Sequence, residues 1–181
     1  MTKHISKTSH MAAAALFAAV TSLCAIITIP LGFTPVPINL GTLGMFLSGG
    51  ILGRKYGTVS MCVYVFIGAA GIPVFAGFRA GPSVLVGPTG GYILGYILGA
   101  FIIGMLIDKL MSRNAMWTYC LCLAAGLITC YIVGTLWFAL TTGTSCKAAI
   151  ASCVLPFAVI DIFKIFIASV LIKRLRPFLY K

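Results

Sequence analysis

Apolar stretches long enough to cross a lipid bilayer recur along this chain, and that recurrence leaves few folds open to it. A hydrocarbon core about 30 Å thick takes roughly 20 helical residues. With Gly, Pro and charged residues as punctuation, six stretches fit, over residues 12–29, 38–52, 58–74, 90–107, 115–138 and 148–172. The first stops at Pro30, the short second runs into Gly53-Arg54-Lys55, and the fourth closes at Asp108-Lys109. Of the 181 residues, 61% are hydrophobic and only 8% are charged, whereas a soluble domain is about 45–50% apolar and about a quarter charged. A soluble fold of this length has no room to hide so much apolar surface. The expectation is an all-α integral membrane protein with six transmembrane helices in a single membrane domain, residues 1–181. A water-soluble enzyme, a disordered chain and a secreted disulfide scaffold are excluded.

The charges give this arrangement a direction. The net charge is +11, but the basic residues come as short clusters between apolar runs rather than on one solvated face, which argues against nucleic acid. If the N-terminus is cytoplasmic, six crossings place ten cations inside: Lys3, Lys7, Arg54, Lys55, Lys109, Arg113, Lys173, Arg174, Arg176 and Lys181. Only Arg79 and Lys147 fall outside, and Lys164 lies within a span. This asymmetry predicts cytoplasmic N and C termini and a multi-pass protein of the cytoplasmic membrane. The run from Met11 to Ile29 follows Lys3 and Lys7 as a signal peptide would, but it has no convincing cleavage site and reads as a retained first helix.

The outward loops are unusual. Pro30-Leu31-Gly32-Phe33-Thr34-Pro35-Val36-Pro37 is uncharged and stiffened by prolines, and residues 75–89 are rich in Gly and Pro. Loops in water usually carry more polar residues. Two readings stand for them, a lid over an outward-facing pocket or loops lying in the membrane interface. The seven cysteines sit mostly inside apolar runs without paired metal-ligand spacing and read as small buried hydrophobes.

Chemistry is scarce. The chain has two acids, and Asp108, beside Lys109 at a helix end, reads as a solvated end charge. Asp161 lies inside the last apolar run with Lys164 three residues on, so both side chains share a helix face. Such groups near a bilayer centre cost about 2.5–3.5 kcal/mol each on insertion scales and usually face the bundle interior. Stability alone rarely justifies a buried ion pair, which favours a ligand that both accepts and donates hydrogen bonds. Gly87-Pro88-Thr89-Gly90-Gly91-Tyr92 opens the fourth span, with Thr89 as a candidate N-cap. Its glycines admit either a ligand or, with Gly91, Gly95 and Gly99 at four-residue spacing, a neighbouring helix. Tyr92 and Tyr96 share one face and can line a pocket, as can Tyr131, while Trp137 reads as an interfacial anchor. In the first span Ala14 pairs with Ala18 and Ala15 with Ala19, small residues that let a helix of this chain or of another subunit approach. His4 and His10 both precede the first span, and no nucleophile–base set appears, so an enzyme is not expected.

Several segments together resemble the BioY family, the biotin-specific substrate-binding (S) components of energy-coupling factor transporters. They are Pro35-Val36-Pro37-Ile38, the run from Gly68-Ala69-Ala70-Gly71-Ile72-Pro73 to Val74-Phe75-Ala76-Gly77, the Gly87–Tyr92 segment, and Pro156-Phe157 with Asp161-x-x-Lys164. The chain departs from the family pattern at Asn39-Leu40-Gly41-Thr42, where a Gln is usual, and at Ile160, where Gly is common. The resemblance implies a six-helix S component that binds biotin as ligand, with no cofactor. It also implies partnership with a transmembrane coupling subunit, through the alanine face of the first span, and with ABC-type ATPase subunits. On that basis Asp161 is expected to take the ureido N–H groups, and Lys164 either the ureido oxygen or the support of Asp161. Asn39 and the Gly90–Gly91 backbone are expected to add polar contacts, and Tyr92 or Tyr96 to pack on the rings. Arg79 is either the partner of the biotin carboxylate or a solvated loop cation. The alternative function is a stand-alone or ion-coupled carrier for biotin or another small vitamin.

Overall fold

The computed structural model describes residues 7–32, 34–110 and 115–179. Lys3, His4, Phe33, Arg113 and Lys181, used in the sequence reading, lie outside the described residues. The order of elements is α1 (Lys7–Ile26), β1 (Thr28–Leu31), β2 (Thr34–Asn39), α2 (Gly41–Ala69), α3 (Pro82–Val86), α4 (Gly90–Leu110), α5 (Met116–Thr142), α6 (Cys146–Cys153) and α7 (Leu155–Leu179). Four of these, α1, α4, α5 and α7, are long and apolar enough to cross a membrane by length and composition.

The expected second and third spans form one element, α2, whose arms meet at Gly53 (φ 71°, ψ −174°). Only glycine adopts that conformation readily. Ser48 Oγ donates to Gly57 O at 3.1 Å, nine residues away, whereas nine residues of straight helix would separate them by about 13 Å. The chain therefore folds back at Gly53. Among residues 41–53 all but Leu43 are buried, so the first arm is a central strut packed against α1, α4 and α7. Close approach is built in by small residues: a Cβ on Gly95 would lie 3.2 Å from Cys130 Cα, and one on Gly99 would lie 3.1 Å from Gly126 O. The four-residue glycine spacing of α4 thus serves its contact with α5.

At the end of α4, Asp108 is more than the solvated end charge expected. Its Oδ1 accepts from Arg176 Nη2 of α7 at 2.6 Å, and its Oδ2 accepts from Arg54 N at 3.0 Å, at the start of the second arm of α2. Arg176 Nη1 also donates to Gly50 O at 2.6 Å. Side chains on the outer faces of the long helices, such as Leu136, Leu140, Phe163 and Phe166, are exposed. In a membrane these faces meet acyl chains.

The proline-rich connection after α1 is a two-stranded antiparallel hairpin, pairing Thr28 with Asn39 and Leu31 with Thr34, with an irregularity around Pro30. In a lone pair of strands each has a free edge, where a proline without an N–H is tolerated. The last apolar run is not one helix: α6 ends at Cys153, Val154 breaks the turn, and Pro156 stands in the first turn of α7, where its missing N–H costs nothing.

Candidate functional site

A cavity of about 400 Å³ lies between the hairpin, the segment after α2, and the adjoining ends of α2, α4, α5 and α7. That volume falls within the range of small-molecule sites, about 300–1,000 Å³. Hairpin residues Thr28 to Asn39 form one wall, and Phe75, Ala76, Gly77 and Arg79 form another. The segment carrying Phe75 is held down tightly. The Phe75 ring packs on the bare backbone of Gly68 and meets Tyr64 edge-on at 5.6 Å, and Gly81 N donates to Gly68 O at 2.8 Å. Both the connection after α1 and the one after α2 therefore fold over the helix ends and line the cavity.

At its base sits the ion pair. Asp161 and Lys164 are 2% and 6% exposed, with Nζ 2.7 Å from Oδ1, and both line the cavity. Neither faces the lipid. Thr42, at the start of α2, donates to Asp161 Oδ1 at 3.0 Å, and Tyr131 of α5 donates to Asp161 Oδ2 at 2.6 Å. Lys164 Nζ also donates to Asn39 O at 2.7 Å and to Thr42 Oγ1 at 3.0 Å. A hydrogen-bonded charge pair of this kind is far less costly to bury than either ion alone. It also ties α7 to the hairpin, α2 and α5.

Asn39 forms the corner where the hairpin turns into α2. Its Oδ1 accepts from Gly41 N at 2.8 Å and from Tyr96 Oη at 3.3 Å. Tyr92 and Tyr96 both line the cavity from α4, and Tyr92 Oη shares a 3.0 Å hydrogen bond with Thr135 Oγ1. Arg79 is exposed at the mouth, shared with a shallower outer groove that includes Ser83, Pro88 and Thr89.

Two groups of expected residues lie elsewhere. Gly90 and Gly91 are absent from the cavity lining: Gly90 abuts Leu85 O, and Gly91 abuts the Trp137 side chain. Trp137 in turn donates from Nε1 to Gly87 O at 3.0 Å, which fixes the turn leading into α4. On α1, Ala14 and Ala18 are buried, while Ala15 and Ala19 are exposed. The first pair is occupied by the chain's own packing, and the second pair leaves a small-residue face open. The sequence reading did not assign Thr42 and Tyr131 to the carboxylate. Thr42 stood in a segment already singled out, whereas no spacing links Tyr131 to Asp161, thirty residues on.

Known proteins resemble this chain in sequence and in fold. A family model described as the BioY family matches residues 1–181. The biotin transporter BioY of Thermotoga maritima is 43% identical over 164 residues, covering 90% of this chain and 93% of that protein. The probable biotin transporter BioY of Pyrococcus horikoshii is 38% identical over 170 residues, covering 94% and 98%. Among solved structures, a crystal structure of the S-component for biotin from an ECF-type ABC transporter superposes with a TM-score of 0.89 at 29% identity, covering 96% of each chain. The chain belongs to the BioY family.

Proposed function

We propose that this chain captures biotin in its cavity and carries it across the cytoplasmic membrane as the S component of an energy-coupling factor transporter. The observation that carries the reading is a buried, hydrogen-bonded Asp161–Lys164 pair opening on a 400 Å³ cavity. Biotin suits such a site: its ureido ring offers two N–H donors and a carbonyl, its thiophane is apolar, and its valerate is an anion. The ureido ring sits at the Asp161 end, Tyr92 and Tyr96 pack beside the rings, and Arg79 at the mouth meets the carboxylate. Gly90 and Gly91 contribute indirectly, by letting α4 seat against its neighbours.

In this reading the two arms of α2 complete a set of six helices, with both termini cytoplasmic and the cavity facing out. The distribution of Lys and Arg supports that orientation. The exposed Ala15–Ala19 face of α1 receives the coupling subunit, and separate ATPase subunits supply the energy. Titration of the purified chain tests the proposal. Biotin and desthiobiotin, which share the ureido ring, are expected to bind, and thiamine is not. Binding of thiamine as tight as that of biotin, or no binding of biotin, would sink the reading. Biotin uptake in cells devoid of coupling subunits would replace the S-component role with that of a stand-alone carrier.

A further inference from the structure

Beyond the mouth of the cavity lies a second hollow, the outer groove, of about 450 Å³. Pro35, Arg79, Val84 and Thr89 line both spaces, so the groove begins where the cavity ends. Ala80, Ser83 and Pro88 are among the residues that line the groove and not the cavity. Its volume again falls in the range of small-molecule sites.

The walls of the groove are tied down. Gly81 N donates to Gly68 O at 2.8 Å and Phe75 N to Arg79 O at 3.0 Å, which hold the segment after α2 against the end of that helix. The end of α3 is closed by Gly87 N donating to Ser83 O at 3.0 Å, and Trp137 Nε1 holds Gly87 O at 3.0 Å. From the hairpin comes Pro35, whose ring fixes its own φ. A groove held in this way has little to lose in ordering when a ligand enters it.

Its polar groups suit a chain that ends in an anion. Arg79 is exposed, and among the described residues no carboxylate pairs with it, because Asp161 and Asp108 hold Lys164 and Arg176. Its guanidinium carries five N–H donors. Ser83 and Thr89 add hydroxyls, which both donate and accept. Biotin can be extended without altering its rings at one end, the valerate carboxyl, and the ureido-first orientation aims that end at Arg79. If the carboxyl is converted to an amide, its carbonyl still accepts from Arg79, its N–H has hydroxyl acceptors nearby, and the added chain runs on into the groove.

We propose that the outer groove receives an extension joined to biotin through an amide at the valerate carboxyl. The chain then takes two classes of ligand, free biotin and biotin amides whose added chain ends in a carboxylate. This proposal rests on the biotin reading above and extends the range of compounds that the same cavity admits.

Calorimetry on the purified full chain, comparing biotin with N-biotinyl-aminohexanoic acid, tests it. The wild type is expected to bind both, the amide within about tenfold of biotin. Ser83→Trp fills the groove from an exposed position that the cavity does not use. It is expected to weaken the amide about tenfold or more, the cost of overpacking, and to leave biotin unchanged. Ala80→Leu, from a second position outside the cavity, carries the same readout should the indole swing into solvent. The proposal is overturned by a wild type that binds biotin but not the amide. It is equally overturned if neither variant alters the affinity for the amide, or if biotin and the amide weaken in step. A wild type that binds neither compound defeats the biotin reading instead, so the two failures are distinguishable.

Discussion

The chain's two acids lie on different helices and near opposite ends of the molecule. Asp161 and Arg176 stand fifteen residues apart on α7, about 22 Å along the axis, and Asp108 is beside Arg176. Each acid pairs with a buried cation, Asp161 with Lys164 and Asp108 with Arg176, but their own surroundings differ. The Asp161 side chain is 3% exposed and that of Asp108 is 40% exposed. Asp161 is held by side chains from α2, α5 and α7 and keeps one acceptor position toward a cavity. Asp108 holds a backbone N–H at the elbow of α2 and the guanidinium of α7, and it faces water. The contrast teaches that a carboxylate in an apolar chain becomes a binding group through the acceptor capacity its neighbours leave free. Where that capacity faces water, the carboxylate serves as a clasp.

The strongest way to break the comparison is to remove the carboxylate at the cavity. Asp161→Ala leaves Lys164 buried without its counter-charge, a loss of about 3–5 kcal/mol for a buried pair. A large fall in melting temperature in detergent, together with loss of biotin binding by calorimetry, is expected. A variant that melts like the wild type and still binds biotin would mean that the two acids play the same part.

Asp161 and Lys164 could be singled out from the sequence because charge inside an apolar run has no inexpensive explanation. The elbow of α2 was marked as well, since Gly53-Arg54-Lys55 interrupts the run at the observed break. The hairpin was not. Its strands carry Pro30, Pro35 and Pro37, which argue locally against pairing, and the register of Thr28 with Asn39 is decided by packing over the helix ends. Gly90 and Gly91 show a second limit. Locally, a glycine that admits a ligand looks the same as one that admits a helix, and Trp137, far along the chain, decides between them. Helical periodicity gave little help with burial, because a helix between protein and lipid is apolar on both faces. Asp108 looked like a solvated end charge because Arg176 and Arg54 reach it only through the tertiary fold.

A substitution at the elbow sharpens the comparison from the clasp side. Gly53→Ala forces a Cβ into a conformation that costs about 1–3 kcal/mol. Thermal melts should show a loss of that order, with biotin affinity unchanged because the elbow lines no part of the cavity. A parallel loss of affinity would mean that the fold-back at Gly53 positions Thr42 at the far end of the same arm.

The smallest effect is expected at Asp108. In Asp108→Asn the amide oxygen can still accept from Arg54 N, so the elbow keeps its hydrogen bond, while the amide NH2 replaces the oxygen that accepted from Arg176 Nη2 and that contact is lost. Arg176 retains Gly50 O at 2.6 Å as an acceptor. Because the Asp108 side chain is 40% exposed, water already screens part of that contact, so the loss is smaller than at the fully buried pair of Asp161. Calorimetry should return wild-type biotin affinity, and the melting temperature should fall slightly, by less in 0.5 M salt than at low salt, since screening has then removed part of the difference beforehand. A fall as large as that of Asp161→Ala, insensitive to salt, would instead place Asp108 among the buried charges, and the distinction between binding group and clasp would have to rest on the cavity alone.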